Sequence, residues 1–174
     1  MNWERPHPTL LHISLDNLAD TERLGRILSQ VLKPGDVVGL IGNLGAGKTQ
    51  LIRAIAEALD VDPAAISSPT FVLIHEYEGR LPIFHFDAYR LRSVEEFDAL
   101  GGAEYFDSGG ICLIEWADRI PDRLPEEAWL ITLKPSGSVG SRLMEIRAPQ
   151  DRIAELIGAL ATSSTPGGLT GPLR

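Results

Sequence analysis

Residues 42–49 read Gly-Asn-Leu-Gly-Ala-Gly-Lys-Thr. Glycines at 42, 45 and 47 let a backbone turn tightly and aim several amide N–H groups at one spot, an arrangement that cradles phosphate oxygens. Lys48 supplies a point charge suited to β- and γ-phosphates, and Thr49 a hydroxyl able to ligate Mg²⁺. An apolar run, 37–41, precedes the loop, and a helix-patterned stretch follows from Thr49. The positive N-terminal end of that helix then adds to the same pocket. A glycine-rich turn with an exposed lysine would use the same letters without needing a strand before it and a helix after it. The context therefore favours a nucleotide polyphosphate site.

Such a loop needs an acidic partner at the end of a neighbouring strand, because the Mg²⁺ bridging two phosphates is held by a carboxylate, directly or through water. Two strand-like runs end in one: Leu-Pro-Ile-Phe-His-Phe-Asp, closing at Asp87, and Ile-Cys-Leu-Ile-Glu, closing at Glu115. Either can serve, and either can instead cap the segment that follows. Ser67-Ser68-Pro69-Thr70-Phe71 lies where nucleotide-sensing loops sit, making Ser68 and Thr70 switch candidates, although the same residues also read as a plain turn. His85, Asp87, Tyr89 and Arg90 alternate along an extended segment, so His85, Asp87 and Tyr89 are expected to point to one side, with Arg90 facing the sheet end or a salt bridge. His85 alone reads more readily as a hydrogen-bonded core histidine than as a catalytic one. Trp116 could be core, a cover over the site, or an anchor for a partner.

These residues need a scaffold, and the hydrophobic periodicity outlines one. A helix is expected over 17–33, opened by Asn17 or Asp20 and closed by Pro34-Gly35, then a strand over 36–41 and a helix with Leu51, Ile52, Ile55 and Leu59 on its apolar face. Residues 71–77 and 81–86, joined by Glu78-Gly79-Arg80, carry a hairpin signature. Ser93 with Glu96 predicts a capping box opening a helix to about Leu100, with a short helix at 103–106. Strands are expected at 111–114, 129–133 and 143–148, and a helix at 150–160. The fold class expected is α/β: a P-loop NTPase-like three-layer sandwich with a mixed, mostly parallel central sheet, helices on both faces and a β-hairpin. One domain is expected over 1–161, with a flexible tail over 162–174, rich in Ser, Thr, Pro and Gly.

Composition narrows the function classes. A length of 174 residues suits one such domain, with 44% hydrophobic and 23% charged residues and no apolar run long enough to span a membrane. The start of the chain lacks the pattern of a secretory signal, and the single cysteine, Cys112, sits in an apolar run as a small core residue, so a cytoplasmic location is expected. A net charge of −8 argues against direct, strong nucleic-acid binding. The four histidines lack zinc-ligand spacing.

The phosphate loop, Ser68-Pro69-Thr70-Phe71, His85-x-Asp87-x-Tyr89-Arg90-Leu91 and Glu115-Trp116 occur in the order and approximate spacing of the TsaE (YjeE) family of bacterial P-loop ATPases. The resemblance covers roughly residues 15 to 148. It implies a cytoplasmic ATPase needed for threonylcarbamoyladenosine beside the tRNA anticodon, acting with TsaD and TsaB and touching tRNA only through them. It also implies ATP/ADP and Mg²⁺ as ligands. Leu44, Gly45, Ala46, Gly47, Lys48 and Thr49 become the phosphate cradle, Thr49 and Glu115 the metal ligands, and Asp87 the residue on the γ-phosphate side. Gln50, Asp118 and Leu18 become further nucleotide contacts, Gln50 standing where many relatives carry a second hydroxyl. The family's last glycine–arginine turn reads here as Gly140-Ser141-Arg142, with one residue extra, which puts contacts from that loop in doubt. Two other readings use the same loop: a small-molecule kinase, for which no Arg-rich lid is evident, and an interaction module gated by nucleotide binding. No Asn-Lys-x-Asp string is present, so ATP rather than GTP is expected.

Overall fold

A computed structural model describes residues 1–66, 73–137 and 140–163. Along the chain these form β1 (Asn2–His7), β2 (Leu10–Leu15), α1 (Leu18–Val31), β3 (Val37–Ile41), α2 (Lys48–Ala58), β4 (Ile74–Tyr77), β5 (Ile83–Asp87), α3 (Val94–Ala99), β6 (Ile111–Glu115), β7 (Trp129–Pro135), β8 (Arg142–Arg147) and α4 (Gln150–Ser163). The strands make one sheet in the order β1-β2-β8-β7-β3-β6-β5-β4.

β7, β3, β6 and β5 run parallel to one another, and the remaining ladders are antiparallel. The expected mixed α/β sheet is present, but it is not mostly parallel: three ladders, all in this central block, are parallel and four are antiparallel, because β1, β2, β4 and β8 add on as hairpin-type neighbours. Period-2 alternation sorts the side chains between two cores. Val38, Leu40, Ile111, Leu113, Ile131 and Ile83 join Leu24, Leu51, Ile55 and Leu156 under α1, α2 and α4. Val37, Cys112, Ile114, Phe84 and Phe86 join Phe97 and Ile120 on the opposite face, under α3 and short 3₁₀ turns. Runs buried on both faces read as continuous apolar stretches, which is why β3 and β6 are legible in the sequence.

Asn17 caps α1, its side chain accepting from the Asp20 N–H at 3.0 Å. α1 crosses α2 at Gly25, where a Cβ would lie 2.4 Å from that of Ala54, so the close approach requires glycine. The hairpin is present as β4 and β5, pairing Ile74 with Phe86 and Tyr77 with Ile83.

Several elements depart from the expectation. β1 and β2 form a hairpin that the sequence reading omitted, with β2 burying Leu11, Ile13 and Leu15. The capping box at Ser93 does not close: the Ser93 side chain makes no cap bond, and Glu96 accepts from the N–H of Arg92 at 2.7 Å, one residue upstream of the cap. The short helix after α3 is 3₁₀, over Gly102–Asp107. α4 continues through Thr162 and Ser163, beyond the expected start of the tail, and Arg23 donates to the Ser163 carbonyl. The rest of the tail, and the Ser68 and Thr70 candidates, lie outside the described residues. Among the described residues no helix is long and apolar enough to cross a membrane.

Candidate functional site

β3 delivers the glycine loop to the carboxyl edge of the parallel block. Gly42, Gly45 and Gly47 take φ values of 152°, 76° and 105°. A Cβ on Gly42 would also lie 2.6 Å from the Leu133 carbonyl oxygen. α2 starts directly at Lys48, so its first-turn N–H groups, which lack intrahelical acceptors, sit beside the loop.

The Lys48 ammonium donates to the Gly42 and Asn43 carbonyls at 2.6 and 3.1 Å and lies 3.6 Å from the centre of the Trp116 ring. Burial lowers its pKa, opposed by the negative charges of Glu115, Asp118 and Asp87. The Thr49 hydroxyl donates to Glu115 at 2.8 Å to Oε1 and 3.0 Å to Oε2. Glu115 is 6% exposed at the end of β6. Glu115 is thus the strand-end acid that meets Thr49.

Asp87 pairs in register with Glu115 across β5 and β6. It is half-buried; burial raises its pKa and the Glu115 charge adds to the rise, against the opposing Tyr89 N–H, His85 and Arg90. His85 is fully buried, with Nε2 3.1 Å from Glu115 Oε1 and Nδ1 3.3 Å from the Tyr77 hydroxyl. Tyr89 does not continue the alternation. The Asp87 carboxylate accepts the Tyr89 N–H at 3.0 Å and caps a 3₁₀ turn over Ala88–Arg90, which lifts Tyr89 out of the strand. Its exposed ring lies 4.8 Å from that of Trp116, whose backbone takes the left-handed φ of 58°. Arg90 and Asp118 are exposed at the rim.

Leu18 and Gln50 line a cleft of about 300 Å³ beside the loop, together with Thr21, Gly47, Gly140 and Arg142. Leu44 is 87% exposed at the loop tip, while Ala46 packs inward. Arg142 was missed as a site residue because its turn carries an extra residue. Its Nε donates to the Ala46 carbonyl at 2.6 Å, so it buttresses the loop from β8. Tyr77, expected only as a hairpin residue, also reaches the site through His85. The glycine–arginine turn was a usable signal for Arg142; period-2 counting back from His85 gave none for Tyr77, which lies on another strand.

Thr49 and Glu115 offer adjacent hard oxygen donors, a set suited to a small divalent cation of the magnesium type. Among the described residues no group of three or more His, Cys, Asp or Glu gathers for a metal.

A strand, glycine loop and helix at the carboxyl edge of a parallel block define an α/β protein of the P-loop type. The family model described as "Threonylcarbamoyl adenosine biosynthesis protein TsaE" matches residues 15–144, and the chain belongs to the TsaE family. It is 42% identical over 122 residues to the tRNA threonylcarbamoyladenosine biosynthesis protein TsaE of Bacillus subtilis, covering 70% of this chain and 75% of that one. The Nostoc protein of the same name is 38% identical over 148 residues, covering 80% and 89%. The crystal structure of Bacillus subtilis YdiB superposes with a TM-score of 0.70 at 33% identity, covering 90% of this chain and 97% of that one.

Proposed function

We propose that this chain is a Mg²⁺-dependent ATPase required for threonylcarbamoyladenosine modification of tRNA next to the anticodon. It acts in the cytoplasm with TsaD and TsaB and drives their complex through its cycle by binding and hydrolysing ATP. The observation that carries this reading is the contact of Thr49 with Glu115 at 2.8 Å, beside the Lys48 ammonium and the glycine loop.

Loop amides from Leu44 to Thr49 and the Lys48 ammonium bind the β- and γ-phosphates, Lys48 turning from the Gly42 and Asn43 carbonyls to do so. Thr49 and Glu115 would hold Mg²⁺, which when bound neutralises charge on the phosphate oxygens. Asp87 accepts a proton-bearing contact from the attacking water and orients it; phosphoryl transfer depends chiefly on such positioning. Leu18 and Gln50 flank the nucleotide. The net charge of −8 supports contact with tRNA through partners rather than directly.

Calorimetry with ATP, in the presence and absence of Mg²⁺, tests binding, and phosphate release tests turnover. Lys48→Ala and Asp87→Ala should abolish hydrolysis, and unchanged turnover in both would refute the proposal. Purified TsaD and TsaB with tRNA should require this chain and ATP for repeated rounds of modification.

A further inference from the structure

β5 is apolar at Ile83, Phe84 and Phe86, yet it places an imidazole at its centre with no exposure at all. Both ring nitrogens are engaged. An ionised carboxylate only accepts hydrogen bonds, so the 3.1 Å contact requires His85 Nε2 to carry a proton and donate to Glu115 Oε1. In a neutral ring Nδ1 is then an acceptor, and the Tyr77 hydroxyl, 3.3 Å away and buried, is its donor. A directed chain results: Tyr77 to His85 to Glu115, with Thr49 meeting the same carboxylate from the other side.

We propose that His85 is a positioning residue that fixes the rotamer of Glu115 and so sets the magnesium dependence of nucleotide binding, with Tyr77 fixing the tautomer of His85. This rests on the magnesium–ATP reading above. Thr49 reaches both carboxylate oxygens, whereas His85 reaches only Oε1. A hydroxyl that turns a lone pair towards a cation must redirect its proton. His85 then holds Oε1 and leaves Oε2 facing the loop. Partners that orient a metal ligand from behind typically change metal affinity 10–100-fold when removed.

Three variants separate this role from simple core filling. His85→Phe keeps a ring but donates nothing, His85→Gln keeps a donor near the Nε2 position, and Tyr77→Phe keeps the packing of β4 while removing the hydroxyl. The readout is the ratio of ATP affinities measured by calorimetry with and without Mg²⁺. His85→Phe should lower that ratio about 10-fold or more, with magnesium-free affinity little changed. His85→Gln should restore most of the ratio, and Tyr77→Phe should lower it by a smaller factor. Long-range ¹H–¹⁵N spectra of the nucleotide-free wild type should show the proton on Nε2, a result that does not depend on any variant folding. An unchanged ratio in both His85→Phe and Tyr77→Phe, equal losses in His85→Phe and His85→Gln, or a proton on Nδ1 would overturn the inference. A wild-type protein without magnesium-dependent ATP binding would overturn the functional proposal itself, and this inference with it.

Discussion

Replacing Glu115 with Gln separates what this side chain does for the fold from what it does for the site. Oε1 accepts from Thr49 at 2.8 Å and from His85 at 3.1 Å. A Gln amide oxygen placed there keeps both acceptances, and its NH₂ takes the place of Oε2. Hydrogen bonds to an ionised acceptor contribute ~1.5–3 kcal/mol and neutral ones ~0.5–1.5, so weakening two of them costs about 2 kcal/mol. At 6% exposure, removing the charge relieves part of a desolvation penalty, and the lost attraction to the Lys48 ammonium cancels some of that gain. The two effects offset, and Glu115→Gln should unfold within about 1 kcal/mol of the parent. Glu115→Ala instead strands the Thr49 and His85 donors at about 1–3 kcal/mol each, for a loss of about 2–6 kcal/mol. On the proposed magnesium reading both variants would lose an oxygen ligand, so magnesium-dependent ATP affinity should fall about 100-fold in each. Urea unfolding followed by circular dichroism gives the stabilities, and calorimetry gives the affinities. A Gln variant as unstable as the Ala variant, or one with parental magnesium-dependent affinity, would show that the role assigned to this carboxylate is wrong.

Gly25→Ala should gain ~1 kcal/mol of helix propensity yet lose more to the backbone of α2, since the new methyl would lie 2.8 Å from the Ala54 carbonyl carbon. Urea melts should show net destabilisation of about 1–3 kcal/mol, and a stabilised variant would contradict the close crossing. Burial pushes the Cys112 thiol up to about 12 from its ordinary 9.0. Its raised folded pKa means that the contribution to stability is complete below pH 9.0 and is lost as the pH climbs towards about 12, a window over which Cys112→Ala should lose less stability than the parent. Native labelling by a thiol reagent at neutral pH should track unfolding. Arg152 donates to the Val31 carbonyl at 3.0 Å and to Glu155 at 2.8 Å, and pairs with Asp36. Arg152→Leu should cost ~3 kcal/mol, read by urea unfolding, and faster hydrogen exchange in α4 should accompany it.

The phosphate loop and its flanks were legible because three constraints coincide there: an apolar run buried on both faces, glycines at positions of positive φ, and a helical apolar face. The candidate acids were legible as strand ends, but which one meets Thr49 depends on the pairing of β6 with β3, a non-local fact. Tyr89 was misplaced because alternation assumes an extended chain, and the Asp87 cap bends it one residue earlier. β2 carried its own period-2 signal at Leu11, Ile13 and Leu15; β1 carried little, being fully exposed and interrupted by Pro6. The Ser93 box failed because Glu96 turns to the Arg92 N–H, and a side-chain preference of about 1 kcal/mol does not fix which nearby donor a carboxylate takes.

β3 lies between two parallel neighbours and is covered on both faces, while β1 at one edge of the sheet is exposed along its whole length. Its amides should be among the last to exchange with deuterated solvent, and those of β1 among the first. The loop is therefore moored to the slowest-opening part of the molecule: the margins can breathe without shifting the geometry that Gly42 to Thr49 present to an incoming anion.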